Sequence, residues 1–274
     1  MPASAFALAL TAAFVHALWN VLLARARDPQ AATAVALLVA VVVFAPVTAL
    51  TWDARAAVWP FALVSSCLQL LYFVLLAAAY RRVALSVVYR LARGAAPVLV
   101  LVAGVAFLGK GTSWGQTLGV ALVGGGILLV RGFRRDRQVG GVSFGLAIAC
   151  CIAAYTLVDK HGIAHAAPIS YLELTMAMPS IAYAAAIVRL KGRSAIRAEL
   201  GPASIAAGIA TFGAYALVLA ALERASAASV AAVRETSVVI AALLAGSVLG
   251  ERVGWPRLAG AGLVAGGVAL LSLA

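Results

Sequence analysis

Apolar residues fall in ten runs of roughly 18 to 24 positions, at about 4–24, 31–51, 59–80, 84–108, 114–131, 141–160, 168–190, 203–222, 228–249 and 255–273. As an α-helix, each is long enough to cross about 30 Å of hydrocarbon. A helix also satisfies its own backbone there, which a bare strand cannot. The connections are short and carry breakers or charge: Asp28-Pro29, Asp53, Arg81-Arg82, Gly109-Lys110-Gly111, Gly201-Pro202 and Gly250-Glu251-Arg252. The pattern predicts an all-α polytopic membrane protein with ten transmembrane helices.

The pattern is also duplicated. Gly109–Val130 aligns without a gap on Gly250–Leu271 at an offset of 141, with eight of 22 pairs identical. Among the identical pairs are Trp114/Trp255, Gly119/Gly260 and Gly126/Gly267. The same register carried backwards pairs Arg93 with Arg234, both inside apolar runs. Each copy holds five spans, an odd number, so the second copy enters the membrane upside down. Two inverted five-helix repeats are the expected result, related by a pseudo-two-fold axis in the membrane plane. The boundaries are 1–130 for the first repeat, 131–141 for a solvated cytoplasmic linker, and 142–274 for the second.

Composition excludes a water-soluble domain: 65% of residues are hydrophobic, 11% are charged, and mean hydropathy is +1.06. The net charge of +12 would suit nucleic acid, but its distribution does not. Loops after the odd-numbered spans carry 14 Lys or Arg, from Arg25 to Arg257, against four in the others, Arg55, Lys110, Lys160 and Arg224. Such an asymmetry sets orientation, so the odd loops are expected in the cytoplasm and both termini outside, in the cell inner membrane. Met1 to Phe6 has no basic side chain, while Arg25 and Arg27 follow the first run. That order predicts an uncleaved first helix. Cys67, Cys150 and Cys151 lie in apolar runs and read as packing residues.

Charges inside the spans are the candidate chemistry. Arg93 stands about nine residues into the fourth span, or roughly 13 Å deep. Facing lipid it would cost at least about 2.5–3.5 kcal/mol, so it is expected to face the bundle interior or a wet cavity. Arg90 shares its helix face, and Arg234 is its repeat mate. Two readings stand side by side. The arginines bind an anionic group of a substrate, or they pair internally with Glu235 or Glu173. Three arginines against two glutamates leave one positive charge over, which favours an anion or zwitterion. Glu173 and Glu235 are the candidates for proton coupling. His16, Trp19 and Asn20 form one stripe at i, i+3 and i+4 of the first span, suited to substrate contact or to helix packing. Gln69, Tyr72, Tyr155, Thr211 and Tyr215 are further candidates for a cavity wall. Gly115/Gly119, Gly141/Gly145 and Gly262/Gly266 fit small-xxx-small packing. Gly124-Gly125-Gly126 lacks the lysine of a phosphate loop. His161 and His165 find no third ligand, so neither metal nor cofactor is predicted.

Two five-span repeats, glycine-rich fifth and tenth helices, and Leu108-Gly109-Lys110 matched by Leu249-Gly250-Glu251 resemble the EamA family of the drug/metabolite transporter superfamily. The strings His16-Ala17-Leu18-Trp19-Asn20 and Tyr155-Thr156-Leu157-Val158-Asp159-Lys160 look similar to segments of such transporters. The resemblance implies a ten-helix permease with a central cavity, moving small metabolites such as amino acids or other organic solutes in or out. Small multidrug relatives use a first-helix carboxylate to bind cations and protons. His16 and Asn20 stand there instead, which argues against cationic-drug antiport. The sequence reading is therefore a secondary transporter of a small polar metabolite, an organic anion or zwitterion. It works by alternating access around a site lined by spans one, three, four, six, eight and nine. Its partners are substrate, membrane lipid and protons, and it acts as a monomer or homodimer. The rival is an intramembrane enzyme acting on a lipid-linked substrate. That would need convergent acid, base or metal groups, and no paired Asp or metal triad is present, so no catalytic residue is assigned.

Overall fold

The structure is a computed structural model that describes residues 1–24, 26–82, 85–109, 111–130, 139–240 and 255–273. The helices are α1 (Ala3–Ala24), α2 (Pro29–Leu50), α3 (Trp59–Arg82), α4 (Leu85–Leu108), α5 (Trp114–Val130), α6 (Val139–Gly162), α7 (Pro168–Ala198), α8 (Pro202–Arg224), α9 (Ala227–Arg234) and α10 (Trp255–Leu273). Among the described residues there is no strand, only an isolated antiparallel bridge between Ala54 and Ala166. Five helices, over Pro29–Leu50, Ala56–Ala79, Gly140–Gly162, Pro168–Ala198 and Pro202–Arg224, have the length and hydropathy to cross a bilayer.

Local signals set the helix ends. Pro29, Pro168 and Pro202 stand in the first turn of α2, α7 and α8, where a missing N–H costs nothing. The Asp28 carboxylate caps α2 by accepting from the N–H groups of Gln30 and Ala31 at 3.0 and 3.2 Å. Within α7, Gly192 takes φ 82°, which splits the basic end of the helix from its membrane-length part.

The ninth span departs from its prediction. In place of one helix over 228–249, α9 ends at Arg234 and Glu235 forms a turn. The chain is helical again over 236–240. The N–H of Val238 bonds the Glu235 carbonyl at 3.0 Å, an i+3 bond where a helix would have i+4. The sequence holds no glycine or proline here to announce the break. The remainder of that span lies outside the described residues, as do Arg25, Lys110, Arg131, Arg134, Arg135, Arg137 and Arg252, together with the Arg257 side chain.

Helix packing shows the two-fold relation directly. Exchanging α1 with α6, α2 with α7, α3 with α8, α4 with α9 and α5 with α10 maps the main contacts between halves onto each other. The α1–α8 contact becomes α6–α3, and α2–α8 becomes α7–α3, while α2–α7, α4–α9 and α5–α10 map onto themselves. The α5–α10 pair is antiparallel. A side chain at Gly119 would meet Gly267 and Leu271, and one at Gly126 would meet Gly260 and Val264. Gly119 is the repeat mate of Gly260, and Gly126 of Gly267, so each contact is the other seen from the opposite side. Trp114 and Trp255, both exposed, therefore head equivalent helices at opposite ends of the pair. Interfacial tryptophans suit both positions. Against α5, α10 presents Gly267, which lies against the Gly119 carbonyl, while a Cβ at Gly262 or Gly266 meets nothing within 4 Å among the described residues.

Candidate functional site

A cavity of about 110 Å³ lies between the halves. It takes wall residues from α1, α2, α3, α4, α6, α7, α8 and α9, while α5 and α10 stand outside it. The set is symmetric under the same exchange of repeats, and it adds α2 and α7 to the six spans expected. Large apolar and aromatic side chains form most of the wall. Tyr155 sits edge-on to Tyr72 and to Tyr215, with ring centres 6.4 and 6.3 Å apart. Such contacts hold aromatic rings in fixed orientations. Phe212, also in the wall, is stacked on Phe44 at 4.3 Å.

Against this apolar wall stands one charged cluster. Arg93 Nη1 donates to Glu235 Oε1 at 3.0 Å. Arg234 Nη2 approaches the same oxygen at 3.5 Å. Arg93 also contacts His16 Nε2, and the indole N–H of Trp19 donates to His16 Nδ1 at 3.2 Å. Glu235 is wholly buried, and the two arginines are only 7% and 5% exposed. Neither could remain charged there without a counter-ion. The break after α9 lets one carboxylate reach an arginine from each half. Within this cluster two buried polar atoms have no partner among the described residues, Arg234 Nε and Glu235 Oε2. Arg234 lines the cavity.

Of the residues singled out from the sequence, His16, Trp19, Gln69, Tyr72, Arg93, Tyr155, Thr211, Tyr215 and Arg234 line this one cavity. Glu235 stands behind the wall on the two arginines. Glu173, on α7, is half-buried and is not among the lining residues. The side chains of Asn20 and Arg90 lie outside the described residues. Within the pairing alternative, Glu235 is the partner of both arginines and Glu173 of neither.

One functional group escaped the sequence reading. Asp159 of α6 is fully buried. It accepts from Ser65 Oγ at 2.6 Å and Tyr171 OH at 2.9 Å on Oδ1, and from Tyr215 OH on Oδ2. Gln69 Nε2 in turn donates to Ser65 Oγ at 3.1 Å. The available signal was its spacing of four from Tyr155, which places both on one helix face. Among the described residues no group of three His, Cys, Asp or Glu is placed to hold a metal ion.

Comparison with known proteins agrees with this geometry. None of the curated proteins matches the chain. A solved structure titled only as the crystal structure of a protein superposes with a TM-score of 0.78 at 15% identity, over 100% of this chain and 99% of that one. At that identity the likeness shows the fold alone. The model of the EamA-like transporter family matches twice, over residues 3–132 and 139–273. Between them the matches span both repeats. The chain is a multi-pass membrane protein that belongs to the EamA-like transporter family.

Proposed function

We propose that this transporter is a secondary carrier of a small organic solute bearing a carboxylate or comparable anionic group, such as an amino acid or organic acid. The halves alternate access around the central cavity. No nucleotide-binding motif occurs in the sequence, so an ion gradient, exchange or the solute's own gradient supplies the energy. The excess of basic residues in the odd-numbered loops supports placing them in the cytoplasm of an inner-membrane protein with both termini outside.

One observation carries the reading. Arg234 lines the cavity, and among the described residues its buried Nε has no partner and its one ion pair is a long contact to Glu235. Arg93 is already held by Glu235. An entering carboxylate completes the guanidinium of Arg234 by charge-assisted bonds, which are the strong ones in a dry site. The tyrosine wall then takes the apolar part of the solute. Sites of this kind are mainly apolar with a few placed polar groups.

The test is thermal stabilisation of purified protein by a panel of amino acids, carboxylates, phosphonates and organic cations, followed by uptake into liposomes. An anionic or zwitterionic ligand is expected to raise Tm. Arg234→Ala is expected to weaken that ligand about ten- to hundredfold. Stabilisation by cations alone, or full affinity in Arg234→Ala, defeats the reading. A solute recovered chemically changed would instead favour the lipid-linked enzyme.

A further inference from the structure

Asp159 has no part in the reading above, yet three helices besides its own converge on it. Ser65 reaches it from α3 of the first half, and Tyr171 and Tyr215 from α7 and α8 of the second. Among the described residues no lysine or arginine forms an ion pair with it. Its three partners are all hydroxyl donors. Three donors suit a carboxylate, which only accepts. Tyr215 also lines the cargo cavity, as does Gln69, the partner of Ser65. Asp159 is thus one hydroxyl away from the chamber along either route.

Among the described side chains, the charges around the chamber then balance. Arg93 and Arg234 are the cations, and Glu235 and Asp159 the anions. Of the arginines on the elements packed against α6, Arg93 of α4 and Arg234 of α9 both pair with Glu235 rather than with Asp159. An anionic cargo on Arg234 adds one negative charge to a region of low dielectric. Uptake of one proton removes it, and of the two chamber carboxylates Asp159 is the one that no described arginine pairs with.

We propose that Asp159 is the proton-coupling site: it takes up a proton as an anionic cargo settles on Arg234, and the two cross together. This rests on the anion reading above. Once protonated on Oδ2, Asp159 carries a donor of its own, so the Tyr215 hydroxyl must accept there instead of donating, while Oδ1 keeps its two lone pairs for Ser65 and Tyr171. The proton therefore reverses the bond between Asp159 and a residue that lines the chamber, which links proton uptake to the cargo site.

The experiment is infrared difference spectroscopy of the lipid-reconstituted protein across an acid titration, with the proton itself as the probe. The wild type is expected to develop the carbonyl band of a neutral carboxylic acid that is lost in Asp159→Asn and retained in Asp159→Glu. Absence of such a band from the wild type, or its persistence in Asp159→Asn, overturns the proposal. Should Asp159→Asn fail to fold, Ser65→Ala keeps the acid but removes one donor. A changed midpoint for the band is then expected, and an unchanged one overturns the proposal. In liposomes loaded with a pH dye, glutamate and succinate serve as the anion probes. Whichever of them enters should carry acid with it in the wild type, and Asp159→Asn should fall to the level of protein-free vesicles. Anion entry without acid in the wild type also overturns the proposal. If a band assigned to Asp159 is present while no anion binds, the anion reading falls and the proton site stands.

Discussion

The helices α4 and α9 occupy the same place in the two repeats and carry an arginine at the same register, but they are built differently. In α4, Arg93 is followed by Gly94 and the helix runs unbroken for 24 residues. In α9, Arg234 is followed by Glu235 and the helix stops. Gly94 lies against Gly124 and Leu128 of α5, where a Cβ would come within 3.2 Å. Glu235, at the equivalent position, takes up both guanidinium groups instead. Even so, the two copies loosen the backbone at the same residue. Pro97 has no N–H to offer the Arg93 carbonyl, and the matching Val238 N–H bonds Glu235. Duplication supplies a symmetric scaffold and two symmetric arginines. A single carboxylate, present in only one copy, turns them into an asymmetric site.

Removing that carboxylate is the sharpest way to break the comparison. Glu235→Gln takes from the two buried guanidiniums the carboxylate they share, at a cost of about 3–5 kcal/mol. A large fall in Tm is expected, with partial recovery in the presence of an anion that occupies Arg234. A variant as stable as the wild type would show that the arginines do not depend on Glu235.

The sequence predicted some of this and missed the rest for physical reasons. The ten apolar runs and the α5/α10 repeat are local patterns, and they carried the fold. Depth in an apolar run marked Arg93 and Arg234, because lipid leaves a buried charge few alternatives. Asp159 was hidden because its partners, Ser65, Tyr171 and Tyr215, lie on three other helices, and no local pattern says which helices meet. The break at Glu235 was hidden because a shared counter-ion makes it, with no helix-breaking residue. Against α5, α10 does not use the expected spacing of four. The antiparallel pair uses a spacing of seven, Gly119/Gly126 against Gly260/Gly267.

That pair gives the next test, since two-fold symmetry requires equal penalties at equivalent positions. A Cβ at Gly126 would stand 2.7 Å from the Gly260 carbonyl, and one at Gly267 would stand 2.7 Å from the Gly119 carbonyl. Gly126→Ala and Gly267→Ala should each destabilise by about 1–3 kcal/mol, as overpacked sites do. Gly125→Ala, with nothing among the described residues within 4 Å of its new methyl, should be neutral. Unequal losses at Gly126 and Gly267, measured as Tm in the same detergent, would mean that α5 and α10 do not meet across a two-fold axis.

The smallest effect concerns a second departure from symmetry, at the starts of α2 and α7. Asp28 caps α2 and binds Lys191 Nζ at 2.8 and 2.6 Å, tying the start of α2 to the basic end of α7. At the head of α7 the equivalent residue is Ala167, which has no capping side chain. Its N–H donates to the Asp53 carbonyl at 2.8 Å. Burial alone would raise the Asp28 pKa, but Lys191 and the N–H groups of Ala31 and Gln30 outweigh it and hold the group below its ordinary 3.8. A lowered folded pKa stabilises above the unfolded value and is lost as pH falls through the folded one. The contribution is therefore complete at neutral pH and fades in acid below 3.8. The pair is part-exposed, so it is worth less than about 1 kcal/mol and weakens with salt. Asp28→Asn should lower Tm slightly at neutral pH and low salt, and the gap to the wild type should close in strong acid. A gap that widens on acidification would place the stabilising charge elsewhere.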